Sequence, residues 1–576
     1  MKIFKEDILK ILHIFDLSFL SFIPLVSLFL FLGLVDVLSL GMIIPYVTLL
    51  LDQDSKILNE IFQFIPNINF ESETNNFFIS FSLFFILIFF FRTILAIGIR
   101  AYISKFSHGR LYKLQVKLFS IYQNMLYSDF KKKNQSEYIR NIRELSASSS
   151  SCLESGLKLT SEIIIIISIF IFLIFIEPLP VLSVSLILIL CLITYNKIFK
   201  KKVVKYGEIK LKSLKDIYQV ILESFKGFKE INTINKKSFF GGYLKKNFQE
   251  VYRNDLKSSI IILSPRYIFE FIIVIFLITY LLFQIITIES DSNILAMLGV
   301  YTLAGLRILP STSVISNCLV MIGYNTQSFR ELYIDIKKSN EEKKEIELET
   351  LNNEQKFNSI ELKNIEFKYE NSKIILQDIN LKIEKFQTIG LIGKTGSGKS
   401  TLVDIMLGFL APTKGAVLVN GKKSTLKNFF NRNVYYLPQD HLLISNTIEK
   451  NICLSDGLID RKKIDEAINK SDLTDFVKTL PQGINTKIGP YGINLSGGQM
   501  KKISLARMFY HDKNFIIFDE VTTALDKKAE DKIIEEIKKM KKTKTMILIS
   551  HDHHNLRYCD KIYKIENNKI NEISSF

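Results

Sequence analysis

Apolar residues along the chain gather into six long blocks, and past residue 325 they break into short runs separated by polar ones. The blocks cover residues 18–50, 77–99, 162–176, 179–195, 259–288 and 294–322. Each is close to or beyond the roughly 20 residues that a helix rising about 1.5 Å per residue needs to cross hydrocarbon. Six transmembrane helices are therefore predicted, the third and fourth joined by a tight turn at Glu177-Pro178-Leu179-Pro180. From 325 to 357 the pattern turns charged, with Lys337-Lys338 and Glu341-Glu342-Lys343-Lys344-Glu345, as expected of a helical extension and linker. Beyond it, apolar runs at 387–392, 434–437, 514–518 and 545–550 alternate with helical stretches. That repetition predicts an α/β domain with a largely parallel core sheet and its chemistry at the strands' carboxyl ends. The expected architecture is an α-helical polytopic membrane domain over 1–324, a linker over 325–357 and the α/β domain over 358–576.

The stretches 100–161 and 196–258 contain few Gly or Pro. They read as membrane helices that continue past the bilayer, with turns at Asn134-Gln135-Ser136 and Gly227-Phe228-Lys229-Glu230; plain loops are the alternative. Within 51–76, Ile57, Leu58, Ile61, Phe62 and Ile65 share one helical face opposite Asn59, Glu60 and Gln63, ending at Pro66. A short amphipathic helix near 55–66 is expected, lying on the outer membrane surface or packed on its own bundle.

Composition sharpens this picture mainly through charge. The net charge of +17 and pI near 9.2 would suit a nucleic-acid binder if the basic residues formed one patch. They do not: Lys131-Lys132-Lys133, Lys197 and Lys200-Lys201-Lys202 fall in two loops, whereas 51–76 carries Asp52, Asp54, Glu60, Glu71 and Glu73 against Lys56, and the last short loop carries Glu289 and Asp291. Basic loops stay inside, so both termini are expected in the cytoplasm and no nucleic-acid partner is implied. Five scattered cysteines without metal-ligand spacing read as reduced or buried thiols. The first apolar stretch is too long for a signal-peptide core and lacks a small-residue cleavage site, so it should stay as a helix.

The candidate chemistry lies in the α/β domain. Gly393, Lys394, Thr395, Gly396, Ser397, Gly398, Lys399 and Ser400 form a complete phosphate loop, followed by Thr401. Its backbone N–H groups can converge on a phosphate because glycine tolerates the required angles, and the next helix adds its amino-terminal dipole. Lys399 would reach the β and γ phosphates of ATP, and Ser400 would bind Mg2+. Asp519, after Phe515-Ile516-Ile517-Phe518, is placed to hold that ion through water, and Glu520 to polarise an attacking water.

Downstream of the loop stands Leu495-Ser496-Gly497-Gly498-Gln499. With this run in that order, the chain resembles the ABC transporter family, here as a membrane domain fused to an α/β P-loop ABC ATPase domain. The resemblance implies further roles. Tyr369 would stack on adenine, an ordinary strand aromatic being the alternative. Gln439 would link the γ phosphate and Mg2+ to the membrane part, and His551 would serve as γ-phosphate switch, while His553 and His554 read as solvated. Ser496, Gly497, Gly498 and Gln499 would contact the ATP held by a partner's Lys399, with Asp526 at the same seam. Three departures stand out: Met500-Lys501-Lys502 where exporters usually show a Gln-Arg pair, Val521 for a common Ala, and Pro490 at a position usually acidic. The first two look tolerable, and Pro490 bears on the contact to the membrane domain.

Six helices before one ATPase domain resemble an exporter half-transporter, a homodimer in a bacterial cytoplasmic (inner) membrane. Arg92, Arg266 and Arg307 fall inside apolar helices at a similar depth, Arg92 and Arg307 roughly 20 Å below the outer surface by helical rise. Intramembrane guanidinium groups cost at least about 2.5 kcal/mol each, which points to a polar cavity suited to phosphate or pyrophosphate. Local pairing of Arg266 with Glu270, or snorkelling, is the alternative. Lys133-Asn134-Gln135-Ser136-Glu137, Pro265-Arg266-Tyr267, Leu306-Arg307-Ile308-Leu309-Pro310 and the outer helix resemble the PglK type of lipid-linked oligosaccharide flippase. That implies transfer of a polyprenyl-pyrophosphate glycan from the inner to the outer leaflet for protein glycosylation. Export of another amphiphile (a lipid A precursor, a peptide or a drug), a structural or regulatory ATPase, and an importer are the other readings.

Overall fold

A computed structural model describes residues 2–43, 46, 74–176, 178–287, 293–349, 357–369, 373–423, 433–489, 492–520, 527–550 and 556–573. The expected outer helix near 55–66, the acidic loops, Pro490, Val521, Asp526 and His551 lie outside these residues. The chain divides into two compact units, Met1–Met125 with Phe130–Glu341, and Leu126–Asp129 with Glu342–Phe576.

The described part of the first unit is helical. Its main helices are α1 (Lys2–Ile14), α2 (Ile23–Gly41), α3 (Thr74–Asn124), α4 (Ser146–Ile176), α5 (Pro178–Lys226), α6 (Lys237–Thr287), α7 (Asn293–Tyr324) and α8 (Thr326–Glu349). Six of the helical stretches are long and apolar enough to cross a membrane, in the order the hydropathy pattern predicts. With 51, 49 and 51 residues, α3, α5 and α6 each reach about 75 Å at 1.5 Å per residue, more than twice the thickness of hydrocarbon. Their polar halves are therefore continuations of the spans and not plain loops. The first polar stretch breaks before Asn134, whose extended backbone starts a short helix at Gln135. The second breaks at Gly227, between α5 and a helical turn at Phe228–Thr233.

Inside this bundle Phe29 of α2, Ile169 of α4, Leu188 of α5, Phe269 of α6 and Ile308 of α7 share one buried cluster. Leu83, Phe90, Leu186 and Phe271 stay exposed, as lipid-facing side chains would be. At Gly207 of α5 a Cβ would sit 1.9 Å from the carbonyl oxygen of Tyr324 at the end of α7, so the two helices meet there at a distance only glycine permits. The charged stretch after 325 begins as α8, whose Phe329, Leu332 and Ile336 are fully buried in a second cluster of the bundle.

The described residues of the second unit form two sheets. Strands β1 (Ser359–Lys368), β2 (Ile374–Glu384), β4 (Lys414–Val419) and β5 (Lys422–Lys423) form an antiparallel sheet in the order β2-β1-β4-β5. The core sheet runs β10-β9-β3-β8-β7-β6, from β3 (Thr388–Gly393), β6 (Val434–Leu437), β7 (Phe515–Asp519), β8 (Thr545–Ile549), β9 (Lys561–Glu566) and β10 (Lys569–Ile573). The pairs β9–β3, β3–β8, β8–β7 and β7–β6 are parallel. β8 is buried at every position and β3 and β7 at all but the last, as expected of parallel strands covered on both faces. Four helices of this unit matter below: α9 (Lys399–Met406), α10 (Ile448–Cys453), α11 (Arg461–Lys470) and α12 (Gly497–His511). The antiparallel sheet was not anticipated, although 359–368 alternates apolar and polar positions in its first half.

Candidate functional site

Strand β3 delivers the chain to Gly393 at the carboxyl edge of the core sheet. The loop that follows turns on Gly396 (φ +81°) and Gly398 (φ +102°), and at Gly398 a Cβ would come within 2.9 Å of Leu376. Glycine is required there by conformation and by space. Lys399 is the first residue of α9 and almost fully buried. Its Nζ donates to the carbonyl oxygens of Gly393 (2.6 Å) and Lys394 (3.1 Å), placing the ammonium in the hollow of the loop. Burial pulls its pKa down, opposed by the carboxylates of Glu520 and Asp519. Ser397 Oγ is buried with no hydrogen-bond partner among the described residues. An orphaned hydroxyl, left-handed glycines, an ammonium and a helix amino terminus together fit a polyphosphate. Lys394, Thr395 and Ser400 are exposed around it, and Thr401 is buried on α9.

The neighbouring strand ends bring three of the expected residues together. Tyr436 on β6 donates its hydroxyl to Asp519 Oδ2 at 2.9 Å, at the end of β7. Burial, then the Asp519 carboxylate, raises the Tyr436 pKa, so this phenol stays a donor. Glu520 follows in a left-handed backbone conformation, φ +51°, with its N–H donating to Ile549 O at 3.0 Å. Its Oε2 accepts from Gln439 Nε2 at 2.8 Å.

Lys501 completes this corner, and sequence reasoning passed over it as a tolerable departure. Only 2% exposed, it donates Nζ to the carbonyl oxygen of Glu520 at 2.7 Å. Burial lowers its pKa to about 8. A signal was present: Lys501 stands four and seven residues before Leu505 and Met508, both buried on α12, so helical periodicity places it on an inward face.

Ser496 caps α12. Its side chain accepts from Gln499 N–H at 3.3 Å while Gln499 Oε1 accepts from Ser496 N–H at 2.9 Å, which fixes the helix start as a capping box. Gly497 and Gly498 are the first helical residues, and Leu495 packs on a cluster built from α10, α11 and α12. Arg507 of α12 donates to Asn451 O (2.7 Å) and Leu442 O (2.8 Å), locking the helix to the chain that follows β6. Tyr369 is half-buried, its ring edge-on to Phe367 at 4.9 Å.

In the membrane unit the three arginines do not converge as expected. Arg92 and Arg307 meet, but on Asp36 of α2, a residue the sequence reading missed. Arg92 Nε reaches Oδ1 at 2.6 Å and Arg307 Nη2 reaches Oδ2 at 3.0 Å. Arg307 also donates to Ser311 Oγ (3.3 Å), Ser311 donates to Glu162 Oε2 (2.6 Å), and Arg100 pairs with Glu162 Oε1 (2.7 Å). Asp36 and Glu162 are nearly fully buried, as paired intramembrane charges are. Arg266 is exposed on α6, apart from this network, and no ion pair joins it to Glu270 among the described residues. The signal for Asp36 was its standing as the lone charge in the apolar run 19–41.

Comparison with known proteins defines the class. Residues 376–523 match the family model described as ABC transporter, and that stretch contains the phosphate loop, the signature run, Asp519 and Glu520. The second unit therefore carries an ABC transporter domain. Among curated proteins, a "Putative multidrug export ATP-binding/permease protein" of Staphylococcus aureus (strain NCTC 8325 / PS 47) is 36% identical over 200 residues, covering 34% of this chain and 35% of that protein. The protein of the same description from the bovine strain RF122 / ET3-1 matches to the same extent. The chain thus spans about a third of the length of the curated relatives it matches. Among solved structures, "Structure of a bacterial Atm1-family ABC exporter with ATP bound" superposes with a TM-score of 0.74 at 16% identity, covering 95% of this chain and 93% of that one. The fold of the chain is like that of this exporter, with six apolar helices long enough to cross a membrane among the described residues, followed by an α/β ABC ATPase domain.

Proposed function

We propose that this chain is half of an ATP-driven exporter that works as a homodimer and moves an amphiphile between the leaflets of a bacterial cytoplasmic membrane. The observation that carries the reading is the corner where Gln439 holds the Glu520 carboxylate at 2.8 Å, beside a phosphate loop whose lysine feels both Glu520 and Asp519. Bound ATP with Mg2+ would supply the scissile phosphoanhydride. The loop from Gly393 to Ser400 and Thr401 would hold its phosphates, and Tyr369 its adenine. Ser400, Asp519 and Gln439 would hold the metal. Glu520 would take a proton from the attacking water, with His551 on the γ phosphate. The capped start of α12, with Ser496, Gly497, Gly498 and Gln499, and Asp526 would close over the nucleotide of the opposite protomer.

The cargo we propose is an anionic amphiphile, with a polyprenyl-pyrophosphate glycan destined for protein glycosylation as the specific candidate. Supporting it, Arg92, Arg307 and the exposed Arg100 together outnumber the buried Asp36 and Glu162 three to two, and Arg266 stands exposed. A second reading, export of another amphiphile, draws support from Asp36, which already occupies the guanidinium groups of Arg92 and Arg307. Transfer of purified lipid-linked oligosaccharide across proteoliposomes tests both. The wild type should translocate, Glu520→Gln should bind ATP without translocating, and Arg307→Ala should keep basal hydrolysis and lose translocation. Unchanged translocation by Arg307→Ala would remove the anion argument, and full ATP turnover by a strict monomer would remove the paired mechanism.

A further inference from the structure

The membrane unit contains an amphipathic cavity of about 570 Å³, away from the Asp36 network. It is walled by α1, the start of α2, the first half of α4, the middle of α5 and the junction of α7 with α8. Its apolar wall includes Phe19, Val26 and Ile8, which are 69%, 39% and 40% exposed. Its polar rim is cationic: Lys197 and Lys200 from α5 and Arg330 from α8, against the single carboxylate of Asp7. Arg330 is taken, since its Nη2 and Nε hold Asp7 at 2.8 and 3.0 Å. Lys197 and Lys200 have no ion pair or hydrogen bond among the described residues. Three residues apart on one helix, they share a face.

The position of these groups along the chain fixes their depth. The apolar run of α5 ends at Tyr195, two residues before Lys197, and Phe19 begins the first span. Cations and exposed apolar side chains therefore meet where hydrocarbon gives way to the polar interface. A water-soluble anion would leave Phe19 and Val26 wet, and a neutral lipid would leave two lysines without counter-ions. Basic pockets between membrane helices on the cytoplasmic side suit lipid headgroups carrying negative charge.

We propose that this cavity binds an anionic phospholipid of the cytoplasmic leaflet, its phosphate at Lys197 and Lys200 and an acyl chain along Phe19 and Val26. The site rests on the proposed reading only for the bilayer and its orientation, and the test uses no nucleotide, so a failure of ATP-driven export would leave it standing.

The chain contains no Trp, so Phe19→Trp introduces a sole indole into the cavity. Full-length protein carrying it is reconstituted with brominated phosphatidylglycerol or brominated phosphatidylcholine, and quenching gives the relative affinity of the two. Each lysine should contribute about fivefold, so phosphatidylglycerol should be preferred more than tenfold. Adding Lys197→Glu and Lys200→Glu, both at exposed positions, should erase the preference. Phe175→Trp, 86% exposed and about 22 Å along α4 from Thr160 by helical rise, should show none in either background. Equal quenching by the two lipids at position 19, or a preference that survives charge reversal, overturns the proposal. Inorganic phosphate that abolishes the preference at constant ionic strength assigns the site to a soluble anion and overturns it equally.

Discussion

Lys501→Met isolates the cost of burying a charge beside the proposed catalytic carboxylate. In the folded chain the Lys501 ammonium titrates near 8 instead of 10.5, because burial disfavours its charged form. Below about pH 8 folding carries the full penalty of that ammonium, roughly 3 kcal/mol for a shift of this size. As pH rises toward 10.5 the folded state sheds the proton first, so the unfolded state binds more protons and stability increases. Between about pH 7 and about pH 9.5 the gain is about 2 kcal/mol, or about 4–8 °C in the midpoint of a unit of this size. Methionine keeps the length of the side chain and removes the titration. It leaves the Glu520 carbonyl without its donor, a cost of about 1–3 kcal/mol that does not vary with pH. The assay is scanning calorimetry of the full chain in nanodiscs, with the relevant transition marked by its upward shift on adding ATP and Mg2+. Wild type should gain those degrees relative to Lys501→Met across the pH interval. Parallel midpoints for the two proteins would refute the assignment of Lys501 as a buried, depressed ammonium.

Glu520→Gln should lower steady-state hydrolysis at least about 100-fold while nucleotide binding, followed with a fluorescent ATP analogue, is retained. Asp36→Ala leaves two guanidinium groups in the bundle without their shared counter-ion and should destabilise the membrane unit by about 3–5 kcal/mol. Combining it with Arg92→Met and Arg307→Met should recover most of that loss, and a triple variant no more stable than Asp36→Ala would show that the network is not a unit. Ser496→Ala should cost about 1 kcal/mol through the lost cap of α12. Ser496→Asp should restore that stability yet depress ATPase activity further, because a carboxylate would face phosphate; equal activity in the two variants would detach Ser496 from the nucleotide.

The parts of this molecule that were readable from the chain are those written in local spacing. Apolar blocks close to or beyond about 20 residues mark the spans, and the ends of β3, β6, β7 and β8 fall within a residue of the apolar runs expected to form them. The phosphate loop and the signature run are contiguous, so they could be read without knowing what surrounds them. What stayed hidden depends on partners remote in sequence. Asp36 meets one arginine 56 residues away and another 271 residues away, and no periodicity announces such a triad. Reading intramembrane arginines alone suggested a free anion site, whereas the acid that neutralises two of them sat in the first span. Lys501 looked like a substitution in a motif until its target, the carbonyl of Glu520, came from the residue after β7. The antiparallel sheet escaped notice because β1 bends at register shifts that break its alternation.

Glu520 is held in a backbone geometry that an ordinary side chain enters at a cost of order 1–3 kcal/mol, kept there by Ile549 on one side and Lys501 on the other. Evolution of this protein toward heat resistance would thus meet a conflict at one codon. Glu520→Gly or Glu520→Asn relaxes the chain and discards the carboxylate, so a screen that rewards survival alone will enrich variants without the group proposed to activate water. Any thermostabilised version intended to keep the proposed activity should be selected under a demand for fuel consumption.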